Sequence, residues 1–142
     1  MAEALVLARA AADAGEVPVG ALIVKDGQII GRGANRPIGT HDPTAHAEII
    51  ALRDAAAFLG SDRLVGCDLW VTLEPCAMCA GAIVHARISR LYYGASDPKG
   101  GAIEHGPKLF AQPTVHHRPE VYGGICEHEA AALLKAFFAK RR

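Results

Sequence analysis

No run in this chain approaches the roughly 18 consecutive apolar residues of a bilayer-spanning helix, so no membrane segment is expected. Nor does the chain open on the basic leader and long apolar core of an export signal. Internal repeats, low-complexity tracts and linkers are absent as well. Net charge is missing: 15 Lys and Arg balance 15 Asp and Glu, so no overall field announces a nucleic-acid binder, although a local patch can act without one. Cysteine is scarce, with four in 142 residues and two of those in one Cys-x-x-Cys. That usage points away from a disulfide framework and toward a reducing, cytoplasmic setting. What the chain does have is 51% hydrophobic and 21% charged residues, the balance of a compact fold. The expectation is one domain over 1–142, large enough to bury a core without staples.

The stretch that organises the rest is Thr72-Leu73-Glu74-Pro75-Cys76-Ala77-Met78-Cys79. Asp68 to Val71 before it reads as a buried strand, and Ala80 to Ala86 after it as helix. Pro75 suits a first helical turn, which places Cys76 and Cys79 at i, i+3 with both sulfurs on one face. The positive end of a helix favours thiolate, the metal-binding form. Two thiolates make half of a tetrahedral zinc site. Upstream, Asp42 to Leu52 opens another helix, capped by Asp42 or Thr44, with Ala45, Ile49 and Leu52 as its apolar stripe. His46 then offers a third ligand from its first turn, with Glu48 two positions on. Three protein ligands and an open fourth position are the mark of a catalytic zinc, whose bound water ionises at a pH of about 7. A carboxylate beside that water but not on the metal, here Glu48, can shuttle its proton. His46-x-Glu48 followed by Pro75-Cys76-x-x-Cys79 is the signature of zinc-dependent deaminases.

In chain order, a helix is expected from about Glu3 to Ala14, with Leu5, Ala8 and Ala12 on one face. Strands follow over Val19–Lys25 and Gln28–Gly33, joined by an Asp26-Gly27 hairpin turn. Ala34 to Gly39 reads as a loop leading to the His46 helix, which ends near Gly60. After the cysteine corner come a strand over Ile88–Gly94 and an irregular stretch from Ala95 to Pro119. A last helix runs from about Cys126 to Lys140, with Leu133, Leu134, Phe137 and Phe138 on its buried side. This pattern predicts a three-layer α/β/α domain, a mixed sheet of about five strands with helices on both faces.

The chain resembles the bacterial tRNA-specific adenosine deaminases of the cytidine deaminase-like superfamily. The resemblance is carried by Glu16-Val17-Pro18-Val19-Gly20, Asn35-Arg36-Pro37-Ile38-Gly39, His41 through Leu52, Val71 through Ile83, and Ala132 through Phe138. It implies hydrolytic conversion of adenosine to inosine at the wobble position of a tRNA anticodon stem-loop. One Zn2+ held by His46, Cys76 and Cys79 would supply hydroxide, and Glu48 would move protons. Asn35 and the backbone at Ala47 would contact the extruded purine, Val17 and Leu73 would wall its pocket, and Asp97 would touch a neighbouring sugar. A homodimer is also implied. Between Arg87 and Arg118, five Lys or Arg face only Asp97 and Glu104, a local excess compatible with a phosphate track. Candidates for RNA backbone contact are Arg36, Lys99, His117, Arg118, Arg141 and Arg142.

Plainer readings stand beside these. Cys67 and Cys126 are expected as small buried hydrophobes. The basic end Lys140-Arg141-Arg142 suits the negative end of a helix without any RNA. Asn35 can simply stabilise its turn. Pro98 to Pro107 departs from the small-residue loop of the enteric form and bears on how flanking nucleotides are held. Three alternative functions share the motifs: a deaminase of free guanine or cytosine, a noncatalytic zinc-binding partner subunit, and an RNA-binding module with structural zinc. A chain that stops after a basic helix leaves a more open mouth than a free-base enzyme needs, and Glu48 has no use in a dead subunit.

Overall fold

A computed structural model describes residues 1–141 of the chain. Helix α1 (Ala2–Asp13) leads into the hairpin β1 (Gly20–Lys25) and β2 (Gln28–Ala34). Its two turn residues, Asp26 and Gly27, take φ of 50° and 76°, the left-handed pair that a tight hairpin requires. The segment expected to be loop contains a short helix, α2 (Pro37–Thr40). Then come α3 (Ala47–Leu59), β3 (Cys67–Leu73), α4 (Ala77–Ala86), β4 (Arg90–Ala95), a single 3-10 turn at Leu109–Ala111, β5 (Glu120–Tyr122) and α5 (Glu127–Ala139).

The five strands form one mixed sheet in the order β2-β1-β3-β4-β5. β1 is antiparallel to both β2 and β3, whereas β3, β4 and β5 run parallel. On one face, Ala47, Ala51, Leu52 and Ala55 of α3 and Ala80, Ile83 and Val84 of α4 pack with Ile23, Leu69, Val71, Leu91 and Tyr93. The opposite face carries α1 and α5, whose Leu5 and Ala130 meet Ala95. This is the three-layer architecture expected.

Glycine sets how closely the layers approach. A Cβ on Gly33 would lie 2.2 Å from the Ala47 carbonyl oxygen, and one on Gly31 would lie 2.5 Å from that of Ala51. α3 therefore rests directly on the β2 backbone, which fixes the height of its amino-terminal end above the sheet. One expectation about α5 needs correction. Phe137 is buried, but Phe138 is 46% exposed and Leu133 and Leu134 only partly covered. The helix presents a narrower stripe to the sheet than its run of apolar residues suggested.

Candidate active site

The parallel pair β3 and β4 brings Leu73 opposite Ala95 at the carboxyl end of the sheet, where open α/β sheets place their sites. Pro75 lies just outside α4, not in its first turn, and Cys76 is the residue that caps the helix, with Cys79 three positions on. His46 likewise caps α3 instead of lying inside it. The Asp42 carboxylate accepts from both the N–H and the hydroxyl of Thr44, so it shapes the approach to α3 and leaves the cap position to the imidazole. Both helices begin at least two residues later than the capping signals suggest, and the geometry gains from it. An extended cap residue swings its side chain across the helix end, so His46 and Cys76 can face each other.

His46 Nδ1 lies 3.6 Å from Cys76 Sγ and 3.6 Å from Cys79 Sγ, and the three ligand atoms all lie within 4.8 Å of one another. Tetrahedral zinc with bonds of about 2.3 Å to sulfur and about 2.05 Å to nitrogen requires an N···S edge of about 3.6 Å. The donor set fits zinc by distance as well as by type.

Hydrogen bonding by the Cys79 thiol outweighs burial and lowers Cys76 to about 5. Cys79 goes the other way: its bond to Cys76 and its burial push the thiol up. Adjacent sulfurs share a proton until a cation takes its place, and metal binding then releases it. Glu48, the second residue of α3, is 4% exposed. Burial pushes its carboxyl up to about 7, against the pull of its own backbone N–H, and it hydrogen-bonds to Cys79. A bound dication acts in the opposite sense and favours the carboxylate. A buried carboxyl touching the ligand cluster and poised near neutrality is suited to moving protons.

Leu73, three positions before Cys76, opens onto a cleft of about 930 Å³ between the sheet end and α5. Val17 and Leu73 wall it, Asp97 and Gly100 border it, and Lys99, Lys135 and Arg141 give it a cationic rim.

The MafB19-like deaminase family matches residues 1–142. A tRNA-specific adenosine deaminase of Agrobacterium fabrum is 57% identical over 139 residues, covering 98% of this chain and 91% of its own. The chain belongs to the tRNA-specific adenosine deaminase family. A solved structure from work on A-to-I editing by tRNA:A34 deaminases at the wobble position superposes with a TM-score of 0.91 at 58% identity, over 92% of this chain and 95% of the other. A guanine deaminase from Bacillus subtilis shares the fold at a TM-score of 0.66 and 35% identity, over 99% of this chain and 90% of its own.

The other residues singled out from the sequence of this deaminase divide into two groups. Val17, Leu73, Asp97, Lys99 and Arg141 converge on the cleft. Asn35 sits beside the metal centre for a reason the sequence did not reveal: its Oδ1 accepts the Ala47 N–H at 2.8 Å. An N–H can donate only to the amide oxygen, so the Asn35 NH2 must point away from α3. The Ala47 N–H is thus engaged by Asn35 in this structure, and Asn35 both stabilises the helix end and retains donors. Arg36 is exposed next to it.

Two candidates lie elsewhere. His117 Nε2 is 2.7 Å from the Ile88 carbonyl, while Arg118 donates to the carbonyls of Phe110 and Gln112 at 2.7 and 3.0 Å. Ile88 precedes β4, so this corner is a strand's length, roughly 17–20 Å, from the Ala95 end. Both side chains hold the loop before β5 and are not brought to the cleft. Arg141 also stacks on Phe137, 3.6 Å from the ring centre, so its stem is positioned before any ligand arrives. Arg142 lies outside the described residues.

Sequence reasoning missed two buried carboxylates. Glu16 accepts from Ile38 N–H at 3.2 Å and Gly39 N–H at 2.8 Å, capping α2 from a distance and fixing the Asn35–Thr40 segment. Glu74 is surrounded by donors from the loop after β4. Burial pushes its carboxyl up, but those hydrogen bonds, the Asp97 N–H and His105 foremost, outweigh it and hold the group below the usual range. Both glutamates stand inside the segments that carried the family resemblance. For Glu74 the signal available was a charged residue directly after an apolar strand.

Proposed function

We propose that this protein converts adenosine to inosine at the wobble position of a tRNA anticodon loop, consuming one water and releasing one ammonia. The observation that carries the reading is a zinc-compatible His46-Cys76-Cys79 centre with Glu48 against it, beside a cleft rimmed by Lys99, Lys135 and Arg141. Three cations around a cleft bordered by one acid suit a phosphate backbone better than a free purine. The adenosine deaminase relative at 57% identity favours the same choice over free guanine.

Zinc held by His46, Cys76 and Cys79 would supply the activated water that hydrolytic deamination needs. The chain's own residues account for the remaining work. Glu48 accepts one proton from the water and places it on adenine N1, then takes the second from the new C6 hydroxyl and delivers it to the exocyclic nitrogen, which departs as ammonia. Its burial keeps bulk water from competing for those protons. Asn35 presents its NH2 to an acceptor on the purine while its oxygen stays fixed by Ala47. Val17 and Leu73 exclude solvent from the base. A nucleotide in a loop costs less to extrude than a paired one, which suits an anticodon.

The reading includes one catalytic domain over residues 1–142, a cytoplasmic location and a homodimer, for which sedimentation should return twice the chain mass. Its direct test is competition. An anticodon stem-loop with adenosine at the wobble position should release ammonia, whereas free guanine, cytosine and adenosine should not. The rate on the stem-loop should fall steeply between 50 and 200 mM salt, by about tenfold or more for the cleft's few phosphate contacts. Turnover of free guanine with no salt dependence would transfer the assignment to the free-base reading.

A further inference from the structure

The loop after β4 borders the cleft, and one side chain holds it there. Glu74 lies between the cleft wall at Leu73 and the ligand Cys76, with a side chain of 0% exposure. Its Oε1 accepts from the Asp97 N–H at 3.0 Å and faces His105 Nδ1 at 2.7 Å. Oε2 accepts from the N–H groups of Ile103, Glu104 and His105 at 3.1, 3.0 and 3.2 Å. The loop closes so tightly that a Cβ on Gly101 would lie 2.5 Å from the Glu74 carboxyl carbon. Ala102 N–H donates to the Pro75 carbonyl at 2.9 Å, a second tie between the loop and the cysteine corner.

A buried carboxylate with this many donors would stabilise any protein. Its position gives it a further role. The residues between its two points of attachment include Asp97, Lys99 and Gly100, which border the cleft. Asp97 Oδ1 in turn accepts from the N–H groups of Lys99 and Gly100 at 3.2 and 2.9 Å. One end of the clasp is two residues from a metal ligand and the other sets the cleft wall. The distance between reacting centre and wall thus runs through Glu74. His105 is the only side-chain donor among the five contacts and is 33% exposed, so it is the part that can change without collapsing the rest.

We propose that Glu74, with His105, is a positioning residue that sets which nucleotides are accepted beside the reacting one, by fixing Asp97–Gly100 against the metal centre. The proposal rests on the proposed function, with the cleft taking the anticodon strand and Asp97 meeting the nucleotide beside the reacting one. The test uses Glu74→Gln, His105→Ala and His105→Gln on the zinc-loaded enzyme. Stem-loops carry each of the four nucleotides on either side of the wobble adenosine, and amide hydrogen exchange is followed in parallel. His105→Ala should keep zinc and kcat within about twofold, raise KM about tenfold and flatten the preference among flanking nucleotides. His105→Gln, which can still donate to Oε1, should recover much of both. Glu74→Gln should lose amide protection at Ile103 and Glu104 and show the same flattening. If that variant fails to fold, His105→Ala decides.

An unchanged flanking preference in a folded variant, an equal loss of kcat on every stem-loop, or a wild type with no flanking preference would overturn the proposal. A wild type inactive on every stem-loop would instead overturn the reading of the cleft, and the proposal with it. Loop protection, read without any substrate, tells the two failures apart.

Discussion

Glu48→Gln should lower kcat on the stem-loop by at least about 10³-fold while zinc content and fold persist. The amide matches the carboxylate in shape and keeps a hydrogen-bonding oxygen, but it can neither take a proton from water nor pass one to the departing nitrogen. Buried at 4% exposure against the ligand cluster, Glu48 has no solvent-borne substitute. The substitution also replaces a carboxyl that burial pushes up to about 7 by a group that never ionises. The stability of the metal-free chain should therefore hold or rise at neutral pH. Single-turnover inosine formation, metal analysis and urea unfolding on one preparation measure all three. A variant that keeps zinc and more than a tenth of wild-type kcat would remove Glu48 from the chemistry. Loss of zinc along with activity would make it a structural support of the site.

Removing the metal is the second large effect. Cys76→Ala, or dialysis of the wild type against a chelator, should reduce turnover to background yet leave a cooperatively folded protein. The residues that would hold the metal come from two helix caps, His46 and Cys76, and from Cys79, while the core formed by Ile23, Leu69, Val71, Ile83, Leu91 and Tyr93 owes nothing to them. Stability should still fall, by about 2.7 kcal/mol when zinc had been present at 100 times its Kd, because the metal binds the folded chain alone. Readdition of zinc should restore both activity and thermal midpoint in the wild type and neither in Cys76→Ala. An apo protein without a cooperative transition would mean that the metal holds the fold together, as in a structural zinc module.

The parts of this architecture that sequence made legible are those governed by local pattern. The Asp26-Gly27 turn, the stop at Gly60 and the alternation of strand and helix each depend on a few neighbouring residues. The His46-Cys76-Cys79 cluster was readable because a zinc site imposes both residue type and spacing. The cap positions were harder to read. Asp42 and Thr44 are better capping residues than histidine by propensity, yet they hydrogen-bond each other and His46 takes the helix end. β5, only three residues long, has no periodicity to display and forms because β4 offers it an edge. Glu16 and Glu74 bond to segments 22 to 31 residues away, so nothing local to them signals a partner. The same holds for His117 and Arg118: a cationic count along the chain could not tell residues that reach the cleft from those that tie a loop to the far end of β4.

The proposed conversion is confined to one nucleotide, and a position-resolved product analysis tests it most directly. A tRNA transcript with adenosine at the wobble position should be incubated with the zinc-loaded enzyme, converted to cDNA and sequenced, with Glu48→Gln run beside it. Guanine should replace adenine in the reads at that position alone, and only with the wild type. Unmodified reads, together with ammonia released from a free purine, would contradict it.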